Sequence, residues 1–326
     1  MTEILVLGAT GFIGGQIAKA ALESDMHVSG LRRDPEKTGH LQGLPINWVE
    51  GDLLETERLK AAMKGKDAVF HAAAYYPRDQ RLPTAEHIKN GQNEIEAVLE
   101  AFRSSGAGRL IYTSSLSTIG QPPSGSRRPA DERDHYQLGS MPKNAYYEVK
   151  SVMERRVLSG AEEGLDAVIL NPTAVFGPGD VNLATGQILV LIARGKAVIS
   201  PPGTINAVDV RDVAAAQIQA FSQAESGERY ILGGHNLTIP EFITAAAQVS
   251  GVRPPLFTLP DWSLPPLIRL LDTLPLSSGA PDHLRALPRQ QRYNNEKAVQ
   301  SLNLDPRGLE ETLYESILWF DHHGYL

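Results

Sequence analysis

The sequence has no cysteine. Structural disulfides, thiolate nucleophiles and cysteine-bound metal are thereby excluded, so the chemistry of the chain rests on oxygen and nitrogen groups, and no metal site is assigned. No apolar run approaches the roughly 18 residues that a membrane helix needs. Ile4-Leu5-Val6-Leu7 comes almost at once, with no charged leader before a long apolar core. Neither a membrane span nor a signal peptide is expected, and a cytoplasmic location follows. Basic excess is missing as well: the formal net charge is −7 and the pI is near 5.7, which gives a polyanion no attractive field. Nucleic acid is not an expected partner, and a small molecule is.

What is present is ordinary for a globular enzyme, with 42% hydrophobic and 21% charged residues, values that carry no signature of disorder or of a collagen-like chain. The first half alternates β-rich runs with helical patterns, as a parallel sheet covered on both faces requires. Strands are predicted near residues 3–7, 27–31, 46–50, 68–72, 109–114 and 167–171, and helices near 12–23, 55–63, 85–105 and 144–163. After Pro172 the segments shorten and proline punctuates them, as at Pro178, Pro201, Pro202, Pro254 and Pro255. The expected organisation is a dinucleotide-binding domain over 1–171, with segments near 209–234 returning to it, and a smaller interleaved substrate lobe mainly over 172–326.

Strand residues Ile4 to Leu7 run into Gly8-Ala9-Thr10-Gly11-Phe12-Ile13-Gly14, and a helical pattern follows. A tight glycine turn lets backbone N–H groups at a helix N-terminus approach a pyrophosphate, and the last glycine lets helix and sheet pack closely. An ordinary loop is the plain alternative, weakened by the position after the first strand. The Gly-x-x-Gly-x-x-Gly spacing resembles the fingerprint of the extended short-chain dehydrogenase/reductase family. That resemblance implies an α/β doubly wound parallel sheet of the Rossmann kind and a nicotinamide cofactor cradled by Gly8, Thr10, Gly11, Phe12, Ile13 and Gly14.

Cofactor choice is read after the second strand, where enzymes that use NAD usually place an acid. Here the chain has Arg32 and Arg33, two guanidiniums suited to a 2′-phosphate, so NADP (as NADPH) is expected. Gly51-Asp52-Leu53 resembles the family's adenine contact, although Asp52 also fits a helix cap with Glu55 three residues on. Ala72, Ala73 and Ala74 resemble the small residues that let the cofactor lie flat. The adjacent His71 reads better as a structural histidine than as a catalyst.

Tyr146 and Lys150 stand four apart, on one face of a helix. An ammonium near a phenol stabilises phenolate and lowers its pKa, and Tyr147 points too far around the helix to replace Tyr146. The family resemblance implies that Lys150 also binds the nicotinamide ribose. The run Arg109 to Ser115 resembles the strand that carries the family's catalytic serine. Counting back from Gly120 by the family pattern selects Ser115, with Ser114 the runner-up because neighbours on a strand face opposite sides; the resemblance also implies Thr113 beside the cofactor. Asn171, Pro172, Thr173 and Val175 resemble the segment whose backbone binds the nicotinamide carboxamide. Segments at Val208–Ala214 and Asn295–Ala298 also resemble the family. One departure stands out: the asparagine usual in the long helix before Glu100-Ala101 is replaced by Gly91, flanked by Asn90 and Asn93.

The active-site core alone does not choose among reductases, epimerases and dehydratases. Leu116 and Ser117 after Ser115 replace the acids of a dehydratase. Ile205 stands where a nucleotide-sugar enzyme would carry an arginine. Leu256, Phe257, Leu259, Trp262, Leu264, Leu267, Ile268 and Leu271 suggest an apolar substrate lobe, with Arg285, Arg289 and Arg292 as the nearby cations. The segment from Gly227 to Thr238 resembles the dihydroflavonol-reductase-like branch. The expectation is an NADP-dependent oxidoreductase that reduces an aldehyde or ketone, or oxidises the matching alcohol. A nucleotide-sugar epimerase is the second reading, and a non-catalytic NADP-binding regulator the third. A homodimer pairing the helices near 85–105 and 144–163 is expected, because the family resemblance implies it and because their apolar positions exceed what one sheet face needs.

Overall fold

The computed structural model describes residues 1–79, 81–142, 144–266 and 291–326. β1 (Glu3–Leu7) is buried at Ile4, Leu5, Val6 and Leu7 alike, so it needs cover on both faces, which a parallel sheet between helical layers supplies. The chain runs from β1 through α1 (Phe12–Glu23) to β2 (His27–Arg32) and β3 (Asn47–Glu50), then through α2 (Thr56–Met63) back to β4 (Ala68–His71). α3 (Thr84–Ser105), β5 (Arg109–Thr113), a 3-10 turn at Leu116–Thr118, α4 (Ala145–Glu162) and β6 (Ala167–Pro172) follow.

Alternate strand residues feed two separate cores. Ile4, Val6, Phe70, Ile111 and Val168 pack with Ile17 and Ala21 of α1. Leu5, Leu7, Val69, Leu110 and Ile169 pack with Ile95 and Val98 of α3 and with Val149 and Met153 of α4. Full burial of each such side chain contributes about 1.5–3 kcal/mol before entropy is charged against it. The apolar rows of α3 and α4 are used up in this way. Among the described residues, none of the exposed large hydrophobics lies on either helix, and their outer faces carry ion pairs such as Arg156–Glu96 at 2.5 Å and Arg103–Glu163 at 2.8 Å. The apolar surplus expected of these helices from sequence is therefore not found: the second core absorbs it.

Beyond β6 the chain builds β7 (Ala174–Phe176), α5 (Gln187–Ala193), β8 (Ile199–Ser200) and β9 (Thr204–Asp209). α6 (Val210–Gln223) follows, capped by Asp209, whose Oδ1 accepts from the Arg211 N–H at 2.8 Å. It packs against the first core through Val213 and Ala214. β10 (Arg229–Leu232) pairs in parallel with β6, completing a seven-stranded parallel sheet of order β10-β6-β5-β4-β1-β2-β3. The remaining elements are β11 (His235–Thr238), α7 (Ile239–Val249), β12 (Phe257–Thr258), α8 (Glu296–Leu302) and α9 (Leu309–His322). β11, β9 and β7 form a small mixed sheet and β12 pairs with β8. A third core of Phe176, Leu189, Phe242, Leu313 and Phe320 joins this sheet to α5, α7 and α9. No described helix is long and apolar enough to cross a membrane.

Strand order reverses between β1 and β4, because the chain leaves β1 in one direction and returns to its other side. In an open α/β sheet that reversal opens a crevice at the carboxyl ends of the strands.

Candidate active site and dinucleotide cradle

Gly8 ends β1 with φ of 89°, and a Cβ there would lie 2.8 Å from the Cβ of Ala73 and 2.9 Å from the carbonyl oxygen of Ala72. Only glycine admits both the conformation and the approach of β4's end. The turn closes with the Gly11 N–H donating to the Gly8 oxygen at 2.9 Å, and a Cβ on Gly14 would collide with that same oxygen. Gly11 is the N-cap of α1, with no side-chain cap and no acid in the first turn. The helix therefore presents its first N–H groups and the positive end of its dipole without internal compensation, which suits a pyrophosphate. Thr10, Phe12 and Ile13 form the rest of this turn.

At the end of β2, the Arg32 guanidinium lies 5.2 Å from the centre of the Trp48 ring, and its Nε is buried without a hydrogen-bond partner. Arg33 is largely exposed, and its Nη1 is 3.8 Å from Asp52. A half-organised guanidinium pair with an orphaned buried donor fits an incoming phosphate group. Asp52 is already engaged in its turn: Oδ1 accepts from the Leu54 N–H at 3.0 Å, and its own N–H donates to Glu55 at 2.9 Å. The N-cap of α2 is Glu55, with no side-chain cap bond, so Asp52 is not the helix cap expected of it but braces the turn three residues before that cap, with Leu53 inside the turn. Ala72, Ala73 and Ala74 leave β4 at the crevice.

The reacting groups converge at the ends of β5 and α4. The Tyr146 hydroxyl donates to Ser115 Oγ at 3.1 Å, and the same Oγ accepts from the Ser117 N–H at 3.2 Å, which orients it. Ser115, not Ser114, is the serine brought to Tyr146; the Ser114 hydroxyl is buried without a partner. Lys150, buried one turn along α4, has its Nζ 5.8 Å from the centre of the Tyr146 ring. Burial pushes Lys150 down to about 8, opposed by the carboxylates of Glu94 and Glu154. Burial raises the Tyr146 phenol well above its ordinary value, and the Ser115 hydrogen bond only partly offsets this. The direction is the reverse of what the Tyr-x-x-x-Lys spacing implied, because burial dominates and the neighbouring Tyr76 and Tyr147 add to it. The phenol is thereby held as an acid. His71 is fully buried against Tyr112, with ring centres 5.4 Å apart, and is kept neutral by burial, its pKa lowered to about 3.

Several residues expected beside the cofactor have side chains engaged elsewhere. The Thr113 hydroxyl donates to Gln217 on α6 at 2.9 Å. The Asn171 amide donates to Glu154 at 2.6 Å and to Thr118 at 2.8 Å. The Thr173 hydroxyl donates to Asn206 at 2.7 Å, and Val175 is packed in the first core. For these positions, and for Pro172 between them, the backbone is what remains to meet a ligand.

Sequence reasoning missed Glu154, which accepts from Asn171 and Thr118 and lies 3.0 Å from Arg229 Nε in a buried ion pair. It also missed Glu94 on α3, whose Oε1 is buried without a partner. The signal for Glu154 was its place one helical turn after Lys150, and for Glu94 its place beside the buried Ile95. Gly91 now has a physical reason, since a Cβ there would lie 2.8 Å from Val149 Cγ1: α3 and α4 approach too closely for an asparagine.

In the outer lobe, Leu256, Phe257 and Trp262 are exposed and Leu264 is buried, while Ile205 packs in the third core. Arg292 is exposed, and its backbone oxygen accepts from the Ala130 N–H at 2.8 Å. Leu267, Ile268, Leu271, Arg285 and Arg289 lie outside the described residues.

A seven-stranded parallel sheet with a glycine cradle at its switch point and this Ser/Tyr/Lys geometry defines an oxidoreductase of the extended short-chain dehydrogenase/reductase type, built for a nicotinamide cofactor. Comparison with known proteins agrees: residues 4–233 match the NAD dependent epimerase/dehydratase family, and the chain belongs to it. It is 32% identical over 332 residues to a Synechocystis protein named "Putative dihydroflavonol 4-reductase", covering 98% of this chain and 95% of that one. It is 27% identical to cinnamoyl-CoA reductase 1 of Arabidopsis thaliana, covering 99% and 90%. Among solved structures, a nucleoside-diphosphate-sugar epimerase from Pseudomonas aeruginosa superposes with a TM-score of 0.86 over 100% of this chain and 99% of that one, at 23% identity. That likeness speaks to the fold alone.

Proposed function

We propose that the protein is an NADP-dependent carbonyl reductase that converts an aldehyde or ketone to the alcohol. The observation that carries the reading is the Tyr146 hydroxyl on Ser115 Oγ at 3.1 Å, with Lys150 buried one turn along α4. A reduced nicotinamide, when bound, supplies the hydride. Ser115 and Tyr146 hold the substrate oxygen between two hydroxyls, and Tyr146 donates its proton to that oxygen as the carbonyl carbon is reduced. A buried phenol that stays protonated at neutral pH suits this direction. Gly8, Gly11 and Gly14 would hold the pyrophosphate, Arg32 and Arg33 the 2′-phosphate, and Lys150 the nicotinamide ribose. The relatives named as reductases support the reaction class, and the lobe over 172–326 would supply the substrate side.

Calorimetry with NADPH and NADH, followed by NADPH-oxidation assays on a panel of aldehydes, ketones and nucleotide sugars, tests the reading. The expected result is tighter NADPH binding, lost in an Arg32→Ala, Arg33→Ala double variant, together with stoichiometric NADPH consumption on a carbonyl. Interconversion of a nucleotide sugar without net NADPH loss would replace the reading with epimerisation. Cofactor binding with no turnover on either group would point to a regulator. We also propose a homodimer through α3 and α4, on family resemblance, with ion pairs rather than apolar rows at its surface; a monomer by light scattering at micromolar concentration would refute it.

A further inference from the structure

Between Ala72 and Asp79 the chain is neither helix nor strand, so side-chain anchors fix its course. A buried imidazole on α3 supplies two of them. His87 Nε2 lies 3.0 Å from the Asp79 carbonyl oxygen, and His87 Nδ1 lies 2.8 Å from the Tyr75 hydroxyl. A carbonyl only accepts, which places the ring proton on Nε2; Nδ1 is then the acceptor and the Tyr75 hydroxyl its donor. Asn90, also on α3, donates its amide to the Tyr75 oxygen at 3.4 Å, which leaves the hydroxyl proton to point at the histidine. Both ring nitrogens are thereby satisfied, unlike those of the buried His71, which have no partner among the described residues.

What this clip holds is Tyr76. Its ring lies against that of Tyr146, with centres 5.2 Å apart, and its side chain is exposed. The contact continues through Tyr147, 6.3 Å from Tyr146, to Tyr136, 5.7 Å from Tyr147. The far end of that row is fastened from α4 in the same manner: the buried Glu148 accepts from the Tyr136 hydroxyl at 2.7 Å and from the Gly139 N–H at 3.0 Å. The Thr84 hydroxyl, at the start of α3, donates to the Pro142 carbonyl at 2.9 Å and draws the two loops together. An approach to the Tyr146 hydroxyl from solvent on this side meets the Tyr76 ring.

We propose that His87 is a positioning residue: by clipping the segment 75–79 it holds Tyr76 as a wall beside Tyr146, and that wall limits the bulk of a carbonyl that can reach the proton donor. This rests on the reading of Tyr146 as that donor. A segment without backbone ladders is ordered only by contacts that outweigh its lost conformational freedom, and the two bonds to His87 bracket Tyr76 on either side in sequence. An imidazole suits the task because it is rigid, donates from one edge and accepts at the other. Leucine would fill the space and make neither bond, whereas a glutamine amide keeps one donor and one acceptor.

The test uses the full chain without cofactor. Protein carrying ring-labelled 13C tyrosine gives NMR signals for Tyr76 and Tyr146, assigned through their loss in Tyr76→Ala and Tyr146→Phe. In His87→Leu the Tyr146 signals should move toward their positions in Tyr76→Ala, where the covering ring is gone, and His87→Gln should return them part of the way. Tyr75→Phe, which removes only the hydroxyl of the clip, should move them in the same sense and carries the test if His87→Leu folds poorly. With 15N-labelled histidine, His87 should show its proton on Nε2 and a bare Nδ1. Tyr146 signals that stay in place in a folded His87→Leu or Tyr75→Phe, or a His87 proton on Nδ1, overturn the proposal.

Turnover separates a wall from a mere scaffold. With saturating NADPH, propanal and pivalaldehyde serve as slim and bulky probes. His87→Leu and Tyr76→Ala should each raise the bulky-to-slim ratio of kcat/KM by about tenfold or more, chiefly through the KM of the bulky probe. A merely destabilising change would lower both rates together. An unchanged ratio while the Tyr146 signals move would remove Tyr76 as the wall. No NADPH oxidation on any carbonyl would sink the reductase reading alone, since the NMR result needs no turnover.

Discussion

Two acids in the paired helices, Glu154 on α4 and the half-buried Glu94 on α3, differ in how completely the fold satisfies them. Glu154 has its bonds made: it accepts from Asn171 at 2.6 Å and from Thr118 at 2.7 Å, and its other oxygen meets Arg229 at 3.0 Å. Arg229 in turn donates to the Thr118 and Glu132 carbonyls. Helix α4, strands β6 and β10 and the turn after Ser115 are thereby fastened at one point. Glu94 has one backbone donor and an oxygen with no partner. A buried network of several charge-assisted bonds fixes one geometry, whereas a carboxyl oxygen without a partner leaves its side chain less constrained.

The largest expected effect comes from removing the Tyr146 hydroxyl, which meets Ser115 rather than either acid. Tyr146→Phe should lower turnover by about 10² to 10⁴ while thermal unfolding and NADPH binding stay near those of the parent. Turnover within a few fold of the parent would mean that another group delivers the proton. Breaking the saturated side should do the opposite. Glu154→Ala leaves Arg229 buried and uncompensated, and a loss of about 3–5 kcal/mol in denaturant unfolding is expected. A loss below about 1 kcal/mol would show that the network is not the joint described above.

On the working side, pH should act through Lys150. Burial lowers its pKa from 10.5 to about 8, so between those values the unfolded chain holds a proton that the folded chain has released. Stability contributed through this group therefore rises with pH across that window, while turnover that needs the ammonium falls above about 8. A kcat profile flat to pH 10 would contradict the second half. Gly91→Ala has the smallest effect: overpacking against Val149 costs about 1–3 kcal/mol, reduced by about 1 kcal/mol of helix propensity. A more stable Gly91→Ala protein would show that α3 and α4 part freely.

Legibility in the sequence followed the range of the interactions. Strands and helices of the first half lie within a residue or two of where periodicity puts them, because alternation and helical rows are local patterns. The glycine turn was legible for the same reason: the clash between Gly14 and the Gly8 oxygen spans only seven residues. The reversed direction of the Tyr146 shift was not legible, since desolvation comes from all the elements around the phenol. Nor was the fate of Asn171 and Thr113, whose partners lie on α4, the turn after Ser115 and α6.

The sequence by itself pointed to the parallel α/β sheet through its alternating elements, to the dinucleotide cradle through the glycine spacing and to Tyr146 and Lys150 through their placement four apart, while resemblance to the family selected Ser115 with Ser114 as runner-up. Only the tertiary structure decided that Ser115 rather than Ser114 meets Tyr146, that Asn171 is bound to Glu154, and that Glu94 on α3 keeps an oxygen unpaired among the described residues. Those outcomes depend on how closely α3, α4 and the carboxyl ends of β4, β5 and β6 approach one another, and that distance is set by packing at residues as remote in sequence as Gly91 and Val149.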